Sequence, residues 1–118
     1  MSDSIFTKII NREIPSTIVF ENDDFIVIND LHPKAPIHVL IIPKKAYETL
    51  EAVELDDDLF HAKLLKTARL VAKKLGTSDN YKLFMNVGKN VQDVHHVHLH
   101  LMGGYPGGKG HYNFTENE

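Results

Sequence analysis

The chain has 118 residues, of which 42% are hydrophobic, so it is long enough for one domain with a modest core. Its 13 basic and 16 acidic residues give a formal net charge of −3, which disfavours a nucleic-acid partner because binding along a phosphate backbone needs a positive excess. With no cysteine, no apolar run of membrane-spanning length and no secretory leader pattern, we expect a cytoplasmic protein without disulfides, thiolate chemistry or a membrane partner.

A short helix and a β-hairpin are the first elements that the pattern predicts. Apolar residues recur at helical spacing over 5–10, behind Ser4, a residue type that favours the helix N-cap. β-Branched and aromatic residues then form two runs, at 17–21 and 25–29. The turn residues at 22–24 indicate that the two runs pair as antiparallel strands.

A rigid loop, a third strand and a long helix follow. Two prolines within residues 32–36 remove backbone donors and restrict their neighbours, which predicts a loop leading into an apolar strand at 37–42. Apolar residues over 55–75 follow the helical period, with acidic residues at the start and lysines at the end, as the helix dipole favours. Gly76 predicts the end of that helix.

Two further strands, at 81–87 and 96–102, complete the predicted elements. The glycine-rich stretch after them has no core-forming pattern, so residues 106–118 are predicted to be an irregular tail. The elements together predict a single α+β domain, residues 1–118, with a core over about 4–105. Its expected architecture is an antiparallel sheet of about five strands with one long and one short helix.

Eight histidines are present, and His96, His98 and His100 alternate with apolar residues. In a strand this period of two sends all three imidazoles to one face. Such a row can supply a nucleophile, a proton donor and an orienting partner, because histidine titrates near neutrality. Two alternatives are the polar face of a half-exposed strand, and a zinc or copper site with His38 as a fourth ligand. The lack of cysteine, and of acidic residues inside the motif, favours a site without metal.

The pattern His-φ-His-φ-His-φ-φ at 96–102 resembles the signature of the histidine-triad (HIT) superfamily, and in particular its nucleotide-binding Hint branch. The likeness extends over about residues 4 to 105. It is carried by Ile5–Ile10, Glu13–Pro15, Asp30, Pro33–His38, Ile42–Lys44, Asn86, Gln92 and Gly103–Gly104.

Hint proteins are homodimers that hydrolyse purine nucleoside phosphoramidates through a covalent nucleotidyl-histidine. The resemblance therefore implies a HIT-like fold, an AMP- or GMP-type substrate and a homodimer. It implies that His98 is the nucleophile, that His100 lies at the phosphate and leaving-group side, and that His96 and His38 complete a histidine network. No metal or other cofactor is expected, because a nucleophilic imidazole must keep its lone pair free.

The resemblance also implies a set of nucleotide contacts. Asp30 corresponds to a carboxylate that accepts hydrogen bonds from both ribose hydroxyls, and Asn86 to an asparagine that donates to the phosphate. Backbone N–H groups of Val91, Gln92 and Asp93 correspond to further phosphate donors. Apolar residues that correspond to the slot around the base are Ile5, Phe6, Ile9, Ile28 and Leu31.

The phosphate loop departs from the family pattern. Paired glycines usually precede the glutamine and a serine or threonine often follows it, whereas this chain has Asn90, Val91 and Asp93. An aspartate beside a phosphate is repulsive unless it points away or binds a cationic histidine or leaving amine. His95 stands where an aromatic residue is common, and we interpret it as structural.

Two other functions fit the same motif. A dinucleoside polyphosphate hydrolase would share the triad and cleave a phosphoanhydride, although the Gly103–Gly104 ending and the compact length argue against it. A nucleotide-binding scaffold with little turnover would keep the fold without the reaction. The complete set of four histidines, His38, His96, His98 and His100, argues against that loss of chemistry.

Overall fold

The computed structural model describes residues 3–105, which form two α-helices, one 3-10 turn and five β-strands. Neither helix in this range has the length and apolar character that crossing a membrane requires. The predicted irregular tail lies outside the described residues. In chain order the elements are α1 (Ile5–Ile10), β1 (Ile18–Glu21), β2 (Phe25–Asn29), β3 (Ile37–Pro43), the 3-10 turn (Leu50–Ala52), α2 (Asp58–Lys74), β4 (Tyr81–Phe84) and β5 (Leu99–Gly103).

The five strands form one antiparallel sheet in the order β1-β2-β3-β5-β4, which confirms the predicted architecture. The central strand β3 carries His38, and its neighbour β5 carries His100. Their register pairs Leu40 with His100 and His38 with Met102. Since directly opposed residues share a face, the two histidines are diagonal neighbours on the same face of the sheet.

Each face of the sheet is covered by one helix. Even-numbered positions of β2 and β3 pack with Phe6 and Ile9 of α1, and odd-numbered positions of β2, β3 and β5 pack with α2. This double cover explains why β2 and β3 read as continuous apolar runs. Alternate residues point to opposite faces, so His38 and His100 belong to the face that α1 covers.

Element boundaries differ from the predictions where a tertiary contact or a cap intervenes. The strand predicted over 96–102 begins only at Leu99, so the expectation that all three triad histidines lie on one strand is wrong for His96 and His98. The ladder stops there because β3 ends at Pro43, which has no N–H to donate and whose carbonyl accepts a hydrogen bond from the His96 ring. The strand predicted over 81–87 ends at Phe84.

The two helices show how strongly the caps set the boundaries. The first spans the predicted residues, and the Ser4 hydroxyl accepts the Thr7 N–H at 3.1 Å, which confirms Ser4 as its N-cap. The long helix starts at Asp58, three residues later than its apolar pattern predicts. Asp57 caps it, with its carboxylate accepting the Phe60 N–H at 3.0 Å.

Candidate active site

The four predicted histidines form one cluster on the α1 face of the sheet. His96 and His98 lie in the segment just before β5 and are 1% and 4% exposed, while His38 is equally buried and His100 is half-buried. The ring centroids of His98 and His100 are 5.1 Å apart, and those of His38 and His100 are 5.2 Å apart. Strand pairing brings His38 and His100 together, and the chain entering β5 adds the other two.

The protonation pattern of His98 follows from one hydrogen bond. Its Nδ1 lies 2.8 Å from the backbone carbonyl oxygen of His96. A carbonyl only accepts, so Nδ1 carries the hydrogen and Nε2 of the neutral ring carries the lone pair. The Phe6 ring packs edge-on against His98 at a centroid distance of 4.9 Å and limits its rotation. His98 therefore has the tautomer of a nucleophile at Nε2.

His38 and His100 form a directed chain of hydrogen bonds. The backbone N–H of Lys34 donates to His38 Nδ1 at 3.1 Å, so the hydrogen of neutral His38 is on Nε2. That Nε2–H points to His100 Nδ1 at 2.9 Å and lies 3.3 Å from a carboxylate oxygen of Asp30. His100 Nδ1 is then an acceptor, which puts its own hydrogen on Nε2.

The Nε2–H of His100 is a buried donor with no hydrogen-bond partner among residues 3–105. Buried donors are rarely left without an acceptor, and an acceptor atom of a ligand would fill this position. The Phe84 ring stacks on His100 at a centroid distance of 4.3 Å and is nearly parallel to it, which holds the imidazole in place. The geometry therefore presents a lone pair on His98 and an N–H on the neighbouring His100.

Three of the four clustered histidines, His38, His96 and His100, have lowered pKa values. Burial, together with smaller contributions from the neighbouring His98 and His38, lowers the pKa of His100 to about 4, although Asp30 and Asp93 oppose the shift. Burial also lowers the pKa of His38, against the influence of Asp30. Burial is again the main cause of the lowered pKa of His96. These three rings are neutral at pH 7, as the tautomer assignments require.

His96 is held at both ring nitrogens. Its Nε2 lies 2.8 Å from the carbonyl oxygen of Pro43, and its Nδ1 lies 3.0 Å from the Ser4 hydroxyl and 3.4 Å from that of Thr7. The sequence pattern identified Ser4 only as a helix cap. It gave no signal for Lys34 or Phe84 as partners of the histidines.

Asp30 is half-buried beside His38 and is partly engaged by the protein. One carboxylate oxygen accepts the backbone N–H of His32 at 2.9 Å, and the other faces His38 Nε2. Each oxygen can accept more than one hydrogen bond, so the carboxylate keeps capacity for a ligand.

The loop predicted to bind phosphate is braced by its glutamine. The buried Gln92 side chain accepts from the Gly88 N–H at 2.8 Å and donates to the carbonyl oxygens of Glu48 and Val94. The backbone N–H groups of Val91 and Gln92 already donate to the Gly88 carbonyl. Asp93 is exposed, and no partner is seen for its backbone N–H within residues 3–105.

Some of the remaining predicted site residues are buried and others are exposed. Phe6, Ile9 and Ile28 are buried in the core under α1, whereas Ile5 and Leu31 are 43% and 79% exposed. Only these last two present substantial apolar surface for a base. Asn86 and His95 are both exposed, and His95 lies in the segment that precedes β5.

Binding a metal ion is an alternative role for the side chains around His100. Ligand atoms of Asp30, His38 and His100 lie within 4.8 Å of one another, which is compact enough to hold a cation. The two imidazole nitrogens are 2.9 Å apart, which is hydrogen-bond spacing, and the other His38 nitrogen accepts the Lys34 N–H. These contacts account for the cluster without a metal.

Comparison with known proteins agrees with the geometry. The HIT domain model matches residues 11–107. The chain is 47% identical over 105 residues to a HIT-like protein of Synechocystis, covering 88% of this chain and 92% of that protein. It is 42% identical over 107 residues to adenylylsulfatase HINT1 of Arabidopsis thaliana, covering 87% and 72% of the two chains. The crystal structure of a HIT family hydrolase from Legionella pneumophila matches with a TM-score of 0.82 at 42% identity, covering 87% of this chain and 94% of that one. The chain belongs to the HIT domain family.

Proposed function

We propose that this protein hydrolyses the P–N bond of purine nucleoside phosphoramidates, such as AMP–amine conjugates, through a nucleotidyl intermediate on His98. The observation that carries the proposal is the 2.8 Å hydrogen bond from His98 Nδ1 to the His96 carbonyl. It leaves the Nε2 lone pair free and stabilises the positive ring that forms when Nε2 attacks phosphorus.

The reaction then runs in two displacements. The Nε2 lone pair forms a bond to phosphorus while the bond from phosphorus to the amine nitrogen breaks, and that nitrogen takes a proton from the acid at the site, which we propose is His100. Water next attacks the same phosphorus, the bond to His98 Nε2 breaks and AMP is released, and the proton that the water loses restores the acid that protonated the amine. Together, the two displacements replace a single slow attack by water on the phosphoramidate.

His100 is the proposed contact to the leaving group. Its unpartnered Nε2–H supplies a hydrogen bond to the leaving nitrogen or to a phosphoryl oxygen. A bound phosphate brings a negative charge next to the ring, and an opposite charge favours the protonated form. The pKa of His100, about 4 in the free protein, should therefore rise when substrate binds, which would let the ring act as an acid.

We propose further contacts between the same site and the nucleotide. The Asp30 carboxylate accepts the ribose hydroxyls with its remaining lone pairs, and the exposed Ile5 and Leu31 flank the base. Asn86 and the backbone at Asp93 lie on the exposed surface from which they could donate to the phosphate. The backbone N–H groups of Val91 and Gln92 could do so only by leaving the Gly88 carbonyl.

A second candidate activity is adenylylsulfate hydrolysis, which the name of the Arabidopsis relative favours. The same attack by His98 would serve, but sulfate is a good leaving group and needs no proton. An amine leaves very badly as an anion. Loss of the His100 donor should therefore slow the AMP–amine reaction much more than the adenylylsulfate reaction.

Turnover of AMP–amine conjugates, adenylylsulfate and diadenosine polyphosphate under identical conditions tests the substrate class. We expect the AMP–amine conjugate to have the highest kcat/KM. Rapid-quench mass spectrometry should locate the nucleotide on His98, and His98→Ala should lower kcat by at least about 10³-fold while AMP still binds. A label on His96 or His100, or a retained rate in His98→Ala, would disprove the mechanism.

The proposed assembly is a homodimer in the cytoplasm. Within the described sheet β4 is an edge strand that pairs only with β5, and an open edge can pair with a second copy. Exposed leucines of α2, Leu59, Leu65 and Leu70, offer further apolar surface. Light scattering at micromolar concentration should give twice the chain mass, and a monomer mass would contradict the assembly.

A further inference from the structure

The N-cap serine of α1 lies directly against the triad, although 92 residues separate it from His96. Ser4 Oγ accepts the Thr7 N–H at 3.1 Å, and the same oxygen lies 3.0 Å from His96 Nδ1. Phe6 of the same helix packs its ring against both His96 and His98, at centroid distances of 5.9 and 4.9 Å. The first helix is therefore part of the wall around the proposed nucleophile.

The direction of the Ser4 hydrogen bond can be assigned. His96 Nε2 lies 2.8 Å from the Pro43 carbonyl, which only accepts, so the hydrogen of this neutral ring is on Nε2. His96 Nδ1 is then a lone-pair acceptor in a residue that is 1% exposed. The Ser4 O–H at 3.0 Å is the nearer of the two available donors, since the Thr7 hydroxyl is 3.4 Å away. Ser4 Oγ also lies 3.3 Å from Thr7 Oγ1, and with the one Ser4 hydrogen directed to His96 it accepts from the Thr7 hydroxyl there.

His96 connects this hydroxyl to the reacting ring. Its side chain is held between Ser4 and Pro43, and its own backbone carbonyl accepts the Nδ1–H of His98. If the His96 ring turned or changed tautomer, the Pro43 contact would be lost and the carbonyl could shift. The lone pair on His98 Nε2 depends on that carbonyl staying in place.

We infer that Ser4 is a positioning residue: its O–H fixes the orientation and tautomer of His96, and through the His96 carbonyl it holds His98 ready to attack. This inference rests on the proposed function. It assigns the N-terminal helix a part in the reaction rather than only in the fold.

Substitutions can separate the role of Ser4 as a helix cap from its role as a hydrogen-bond donor to His96. Aspartate caps a helix about as well as serine, but its carboxylate cannot donate to His96 Nδ1. Ser4→Asp therefore keeps the cap and removes the donor. Ser4→Gly removes the hydroxyl without adding a charge, and glycine is also tolerated at an N-cap. Ser4→Thr keeps both functions, and Asp57→Ala removes a matched cap from α2, away from the four clustered histidines; His61 contacts only the backbone carbonyl of Asp57.

The test combines side-chain nitrogen NMR of the histidines with kinetics on an AMP–amine conjugate. In the unsubstituted protein and in Ser4→Thr, His96 should carry its hydrogen on Nε2 and His98 on Nδ1. Ser4→Asp should move the His96 hydrogen to Nδ1 or protonate the ring, and Ser4→Gly should broaden or shift its signals. Both should lower kcat about tenfold, the factor for one lost hydrogen bond, with little change in KM. Asp57→Ala should lower only the stability.

An unchanged His96 tautomer in both Ser4→Asp and Ser4→Gly, with α1 still formed, would overturn the inference, and so would an unchanged kcat in both where turnover is measurable. The NMR result does not depend on turnover. If phosphoramidates are not hydrolysed but the His96 tautomer follows Ser4, the proposed reaction fails and the positioning contact stands. If turnover is found and the tautomer ignores Ser4, only the inference fails.

Discussion

Gly103 at the end of β5 should not tolerate even a methyl group. A Cβ built on this residue would lie 2.3 Å from Thr77 Oγ1 and 2.8 Å from Thr77 Cγ2, distances at which one side must move. Thr77 is buried and cannot swing into solvent. Its hydroxyl donates to the Asn80 carbonyl at 3.0 Å and accepts the Gly104 N–H at 2.9 Å. Gly103→Ala therefore sets the new methyl group against two hydrogen bonds.

The expected loss of stability follows from these contacts. Two hydrogen bonds contribute about 1 kcal/mol each, and overpacking of a close-packed site costs about 1 to 3 kcal/mol. We expect Gly103→Ala to lower the free energy of unfolding by about 3 to 5 kcal/mol, a large share of the roughly 5 to 15 kcal/mol typical of a domain. Urea denaturation followed by circular dichroism, with an unchanged m-value, measures the difference.

Two variants separate the clash from backbone strain. Gly76 has a φ of +73° and open space around its Cβ position, so Gly76→Ala should report strain alone, about 1 to 2 kcal/mol. Combining Gly103→Ala with Thr77→Ala removes the two closest atoms, Oγ1 and Cγ2, and leaves Cβ at 3.0 Å, so the double variant should be less destabilised than the sum of the singles. A loss below about 1 kcal/mol in Gly103→Ala, or strict additivity with Thr77→Ala, would refute the reasoning.

Three other predictions concern the site. Asp30→Ala should raise KM for adenosine phosphoramidates, corresponding to about 1 to 3 kcal/mol, because ribose hydroxyls lose their acceptor; unchanged kinetics and AMP affinity would remove Asp30 from the site. The pKa of His100 is lowered from the ordinary histidine value of 6.5 to about 4. Between these two pH values the unfolded chain binds more protons than the folded one, so stability should fall as the pH drops from 6.5 towards 4. His100→Phe should flatten this part of the curve of unfolding free energy against pH. Activity should survive chelators, and stoichiometric zinc with chelator-sensitive turnover would contradict a free His98 lone pair.

The local pattern was sufficient to predict most of the fold. Apolar runs bounded by turn residues predicted the strands, because the sheet is covered on both faces and leaves the strand interiors apolar. Ser4 marked the start of the first helix, and Gly76 follows the second with a positive φ. The errors fell at boundaries such as the start of β5, where pairing depends on the distant Pro43 rather than on the alternating histidines.

The residue types that form the site were predictable from the sequence, but the hydrogen bonds between them were not. The alternating histidines and the family signature are properties of a few adjacent positions, so the sequence by itself was sufficient to identify them. The tautomers depend on contacts between positions far apart in the chain, such as Ser4 with His96 and His38 with His100. The tertiary structure also decided that Gln92 braces its own loop and that Asp30 lies beside His38. Periodicity encodes which face a side chain occupies, whereas the partner it meets there is fixed only when separate elements pack together.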